Sequence, residues 1–251
     1  MMGHEHDRAA MAALLTGMLV GADRLMESVG DWADRLMDDQ PTELAARFVN
    51  QLDDEWFDTL PPDSLCDEIT GIVRQRLSAW HEGWPHLWGH ILRVTGVAVA
   101  LAEDEGIDPA LAYLMSICHD VAKLDEARTG EPHEEVGAAF VGRILRGKVS
   151  PAWIEAIRSA IRKENDDALG WILHDADKLD KIGAAGVLRR ISTGTSPAWL
   201  PSALWRVGDD WDRFPPMHFD LSASLAHSKG DFLAWFLPLA EDVAAEYDSS
   251  L

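Results

Sequence analysis

Apolar residues recur at three- and four-residue spacing along most of the chain, in segments rich in Ala, Leu, Arg and Glu. No run of alternating β-branched residues interrupts them, so the pattern predicts helix throughout and an all-α fold. The predicted helices cover roughly 63–80, 86–105, 109–119, 133–146, 151–163, 168–190 and 229–246. Pro61-Pro62 and Gly83-Trp84-Pro85 separate the early ones, Asp63 or Ser64 caps the first, and Gly106 and Pro109 mark an end and a start. After Gly194 the chain changes character. Pro197, Pro201, Pro215-Pro216 and several Trp predict loops and short helices before the final amphipathic segment. Near the start, Ala-Asp-Arg-Leu-Met occurs at Ala22–Met26 and again at Ala33–Met37. That offset is about three helical turns, so Leu25, Met26, Leu36 and Met37 form one stripe that a partner helix, from this chain or a second copy, would cover.

Composition narrows the class. The 251 residues are 47% hydrophobic and 26% charged, as in an ordinary globular protein. The net charge is −21, and residues 1–70 hold sixteen acids against four bases. Such a balance repels nucleic-acid backbones and anionic membranes, so neither a nucleic-acid duplex nor a membrane is an expected partner. No apolar run reaches the ~18–20 residues of a membrane span, and Glu5 and Asp7 precede the apolar stretch Ala9–Val20 where a secretion signal would be basic. Cys66 and Cys118 are the only cysteines and make no disulfide framework. The expected location is cytoplasmic.

The histidines carry the chemistry. His81, His86 and His90 crowd one helix start, and His119-Asp120 close a helix whose preceding face is apolar (Leu111, Leu114, Met115, Cys118). An ionised Asp is costly to bury alone, and a cation would offset that cost. Imidazole and carboxylate ligands converging from several helices are one way a bundle builds a metal site. His81, His174, His218 and His227 read as ordinary polar residues.

Three blocks then fall in order: His86-Leu-Trp-Gly-His90-Ile-Leu-Arg-Val94, Ile117-Cys-His119-Asp120-Val-Ala-Lys123, and His174-Asp-Ala-Asp177-Lys-Leu-Asp180-Lys-Ile-Gly-Ala184. Together they resemble the HD-domain superfamily of metal-dependent phosphohydrolases, across about residues 70–190. The resemblance implies a helical HD bundle at 69–190. Residues 1–68, marked off by their acidity, the double Pro and the repeat as a helical extension, and 191–251, expected as helices and loops packing on the core, have no part in its motifs. The resemblance also implies one divalent ion (Mn, Fe, Ni or Zn, with Mg a further candidate) held by His90, His119, Asp120 and Asp177. Asp177 is preferred to Asp175 because it precedes Lys178-Leu179-Asp180. Asp120 and Lys123 become the catalytic residues, Lys123 holding a phosphate oxygen. His86, His133, Lys178 and Lys181 line the pocket, and Asp175 and Asp180 support the ligands. Lys123 stands where one deoxynucleoside 5′-monophosphatase branch carries Glu, which counts against that branch.

The implied activity is hydrolysis of a small anionic phosphomonoester or phosphoanhydride, with a nucleotide as candidate. The rival is an HD-fold regulatory or scaffold protein that uses the acidic N-terminal helices for interaction or homo-oligomerisation. A single metal is expected. His133 precedes Gly137 as in relatives with more metals, but no His-His pair follows, and Lys163 beside Glu164 would oppose a second cation.

Overall fold

The computed structural model describes residues 10–15, 18, 42–54, 61–79, 84–164, 166–192 and 197–248. Among these, every regular element is helical. The Ala22–Met26 and Ala33–Met37 repeat, and the partner surface expected from it, lie outside the described residues. The helices are α1 (Glu43–Asp54), α2 (Ser64–Ser78), α3 (Trp84–Asp104), α4 (Pro109–Cys118), α5 (Lys123–Thr129), α6 (His133–Ile144), α7 (Pro151–Ile161), α8 (Ala168–Leu179), α9 (Gly183–Ser192), α10 (Leu200–Asp212) and α11 (Asp220–Asp248). A 3-10 turn, Pro197–Trp199, precedes α10. The contacts divide the chain into two compact units.

One unit comprises residues 56–178 and 217–222. Its centre is α4, against which α2, α3 and α7 pack. Every residue from Ala112 to Cys118 on α4 is buried, which only a helix surrounded by other helices can sustain. Local signals fix the boundaries. Asp63 accepts from the Cys66 N–H at 2.8 Å, Asp108 caps α4 ahead of Pro109, and Ser150 accepts from Trp153 N–H ahead of Pro151. Helix α6 runs against α7 and also meets α5. At Gly137 an added Cβ would touch Ile161 and Val121 at 3.7 Å and the His119 carbonyl at 3.8 Å.

The other unit draws on residues 1–55, 179–216 and 223–251. Here α9 packs on α10 and α1. Phe48 of α1 meets Phe232 and Phe236 of α11 at 5.6 and 5.5 Å between ring centres, and the Arg47 guanidinium covers Trp235 at 3.9 Å.

Three elements depart from the sequence expectation. The helix expected over 168–190 is two helices, because Gly183 takes φ +75° and resets the chain direction between α8 and α9. Helix α11 begins at Asp220, ahead of the expected 229. Gly230, which looks like a boundary, sits inside it because the Trp211 ring fills the space of a Cβ, 2.3 Å from its ideal position. The short helix α5 was not expected. It ends in Gly130 at φ +74°.

Candidate metal centre

Two helix ends and one helix interior bring the donors together. His90 lies in the first half of α3, His119 caps the C-terminus of α4, Asp120 follows it, and Asp177 lies in the last turn of α8. The donor atoms of His90, His119 and Asp177 all lie within 4.8 Å of one another. His90 Nε2 is 3.3 Å from His119 Nε2, 3.5 Å from Asp177 Oδ1 and 3.6 Å from Asp120 Oδ2. His119 Nε2 is 3.8 Å from the same Asp120 oxygen. The His119 Nδ1–H donates to the Ser116 carbonyl at 2.6 Å, which leaves the Nε2 lone pair facing the cluster.

These separations test the fit to an ion. Most are too long for good hydrogen bonds. Donors held about 2.0–2.1 Å from one ion stand roughly 3.0–3.4 Å apart, close to the spacing seen. The donor set of two imidazoles and two carboxylates suits a borderline-to-hard divalent cation. His90 and His119 are buried, and Asp120 keeps 15% of its side-chain surface exposed. Burial works against the Asp120 charge, but His119, His133 and His90 outweigh it and hold the carboxyl well below the usual range. The residues present fit a metal.

Beside the donors stands a second polar group. His133, buried at the start of α6, faces Asp120 Oδ1 through Nε2 at 3.2 Å. Its Nδ1 faces Glu126 Oε2 at 2.8 Å and Glu134 Oε2 at 3.2 Å. Lys123 Nζ lies 3.1 Å from Nδ1 and 3.3 Å from Nε2 of the same ring, and 3.3 Å from Glu126. Burial lowers the His133 pKa and the Lys123 charge opposes protonation, yet the Asp120 hydrogen bond and charge raise it on balance. His133 and Lys123, both expected from the sequence at a substrate pocket, stand within hydrogen-bond distance of each other. Glu126 and Glu134, which complete the group, were not singled out, and nothing local in the sequence marks them.

The other expected residues lie elsewhere. Asp175 is fully buried and accepts from His218 Nδ1 at 2.7 Å, His218 N–H at 2.8 Å, Ser222 Oγ at 2.6 Å and His174 Nδ1 at 3.1 Å. These are hydrogen-bond lengths, so this is a hub joining α8 to residues 218–222, although the donor atoms of His174, Asp175 and His218 also lie within 4.8 Å of one another, as they do at the first group. Burial would raise the Asp175 pKa; the bonds from His174, Ser222 and His218 bring it down to about 2. His174 and His218 therefore have a role that their scattered positions hid. The Trp171 ring stacks on His218, 5.2 Å between centres. Asp180 is buried and accepts from Arg189 at 3.1 Å, and Arg190 pairs with Asp210. Lys178 and Lys181 are half-buried around the end of α8. His86 stands in the first turn of α3, and its side chain is outside the described residues.

His90, His119 and Asp177, with Asp120 beside them, form a group that could hold a metal ion between the helices of one unit. Residues 87–182, which include all four donors, match the HD domain family. The chain carries an HD domain. Solved structures agree on the fold. A predicted HD superfamily hydrolase from an uncultured Thermotogales bacterium is similar at 25% identity and a TM-score of 0.56, over 72% of this chain and 92% of that one. Bacillus subtilis YpgQ in complex with ADP matches at 20% identity and 0.54, over 71% and 94%. An HD-superfamily hydrolase from Bacillus thuringiensis matches at 21% and 0.54, over 73% and 97%. Among curated proteins none matches the chain. No helix among the described residues is long and apolar enough to cross a membrane.

Proposed function

We propose that the protein is a metal-dependent phosphohydrolase acting on a small phosphomonoester or phosphoanhydride, with a nucleotide as the favoured substrate. The observation that carries this reading is the pairing of a four-donor centre with a cationic group, His133 and Lys123, at contact distance from Asp120. His90, His119, Asp120 and Asp177 would hold the ion. When bound, a divalent cation supplies Lewis acidity toward a phosphoryl oxygen and acidifies water.

The protein's own residues do the rest. Asp120 is a poor base with its pKa held low, so it serves as donor and as the acceptor that orients His133. His133, its charged form favoured by the Asp120 carboxylate, holds a proton at Nε2 that a leaving oxygen can take. Lys123 and His133 place two cationic groups side by side. Glu126 Oε2 already faces both, 2.8 Å from His133 Nδ1 and 3.3 Å from Lys123 Nζ, so a substrate anion would compete with that carboxylate for them. The structure of Bacillus subtilis YpgQ, which shares the fold, holds ADP, in keeping with a nucleotide ligand.

The test is phosphate release from a panel of nucleotides and sugar phosphates by Mn²⁺-supplemented protein, alongside metal analysis. Asp120→Ala should lose both metal and activity. Full metal occupancy in that variant would sink the donor assignment, and a wild type no faster than the variant would favour the scaffold reading.

A further inference from the structure

At the end of α7 the backbone closes in a Schellman turn: Lys163 N–H donates to the Ala160 carbonyl and Glu164 N–H to the Ser159 carbonyl, both at 3.0 Å. This turn puts its hinge residue in the left-handed region, and Lys163 has φ +59°. The same pattern ends α3, where Gly106 N–H reaches Glu103 and Ile107 N–H reaches Ala102, with glycine at the hinge. Among the described residues Lys163 is the one non-glycine with positive φ. A side chain there strains the backbone.

The lysine's contacts do not offset that strain through stability alone. Its Nζ sits 2.9 Å from Glu134 Oε1, but the side chain is 70% exposed, and exposed ion pairs contribute little. The direction of the contact is informative. Glu134 turns its other oxygen to His133 Nδ1 at 3.2 Å, and His133 Nε2 faces Asp120. Lys163 is thus joined to the metal centre through one carboxylate and one imidazole. Its ammonium is partly desolvated, which works against the charge. The Glu134 hydrogen bond and the fields of Glu134, Asp177 and Asp120 more than make up for it. The neighbouring Arg162 is already committed, with Nε on Glu135 at 2.9 Å. An anionic ligand approaching Asp120, Asp177, Glu126 and Glu134 meets mostly negative charge, so it needs cations placed by the protein.

We propose that Lys163 is a phosphoryl-binding residue at the rim of the HD centre, held by Glu134 until the substrate's phosphoryl oxygens take that carboxylate's place. This rests on the phosphohydrolase reading for the substrate but concerns an anion subsite of its own. Replacing Lys163 relieves backbone strain and removes a ligand contact, so stability and binding move in opposite senses.

The experiment compares wild type, Lys163→Gly and Lys163→Arg, all Mn²⁺-loaded, by calorimetric binding of inorganic phosphate, by turnover, and by melting of the metal-free proteins. Lys163→Gly should melt at the same temperature or a few degrees higher, bind phosphate about tenfold or more weaker and show a raised KM. Lys163→Arg should recover most of the binding. If the glycine variant does not fold, Lys163→Asn, neutral and tolerant of the left-handed region, replaces it under the same readouts. Phosphate affinity within twofold of wild type in the neutral variant overturns the subsite, whatever the turnover. A wild type that hydrolyses nothing yet binds phosphate through Lys163 defeats the hydrolytic reading and leaves the subsite standing. A wild type that binds no phosphate defeats the subsite.

Discussion

Asp120 divides its oxygens: Oδ2 faces His90 and His119 at 3.6 and 3.8 Å, and Oδ1 faces His133 at 3.2 Å. Glu126, His133 and Glu134 could hold a second cation, but Lys123 Nζ stands 3.1 Å from His133 Nδ1 and would repel it. His133→Ala should therefore cut turnover roughly a hundredfold and leave metal analysis at one equivalent per chain. Two tight equivalents, one lost on that substitution, would make the centre binuclear. The two thiols give a separate check. Burial pushes Cys66 up to about 12, with Asp63 adding to the effect, and burial alone dominates the rise of Cys118 to about 12. Neither forms thiolate near pH 8, so a disulfide reagent should label the native protein only as fast as it opens. Rapid labelling of either thiol would show that its helix is less well packed than described.

Individual helices respond to side-chain volume in ways that local sequence does not announce. Gly137 and Gly230 both interrupt helical patterns. A methyl at Gly137 would meet its neighbours at ordinary contact distance, and at Gly230 it would overlap the Trp211 ring. Gly230→Ala should cost about 1–3 kcal/mol, and Gly137→Ala should change stability by no more than ~1 kcal/mol in either direction. Urea denaturation distinguishes them, and equal effects would contradict the packing at Trp211. The same two positions show what could be read beforehand. Capping residues and prolines placed α2, α4 and α7 well, since Asp63, Asp108 and Ser150 act within their own turn. The break before Gly183 and the run of α11 through Gly230 depend on backbone conformation and on a ring contributed by another helix. Periodicity does not contain that information.

Across the molecule, the site was legible where its residues are near neighbours in sequence and dim where they are not. His90, His119, Asp120 and Asp177 stand inside contiguous blocks. Glu134 beside Lys163, and His218 on Asp175, meet only because helices cross. Lys163 had drawn notice as a charge that would oppose a second metal. Its left-handed backbone and its carboxylate partner are properties of the fold. A different consequence follows from how the second unit is assembled. Phe48 near the start of the described chain finds Phe232 and Phe236 near its end. A ribosome delivers Phe232 and Phe236 only after residues 56–178, with the four candidate metal donors, have been made. That long loop cannot close until Phe232 and Phe236 have been made, and its closure costs chain entropy. Until then α1 waits with Phe48 uncovered by them, a surface that a chaperone can hold.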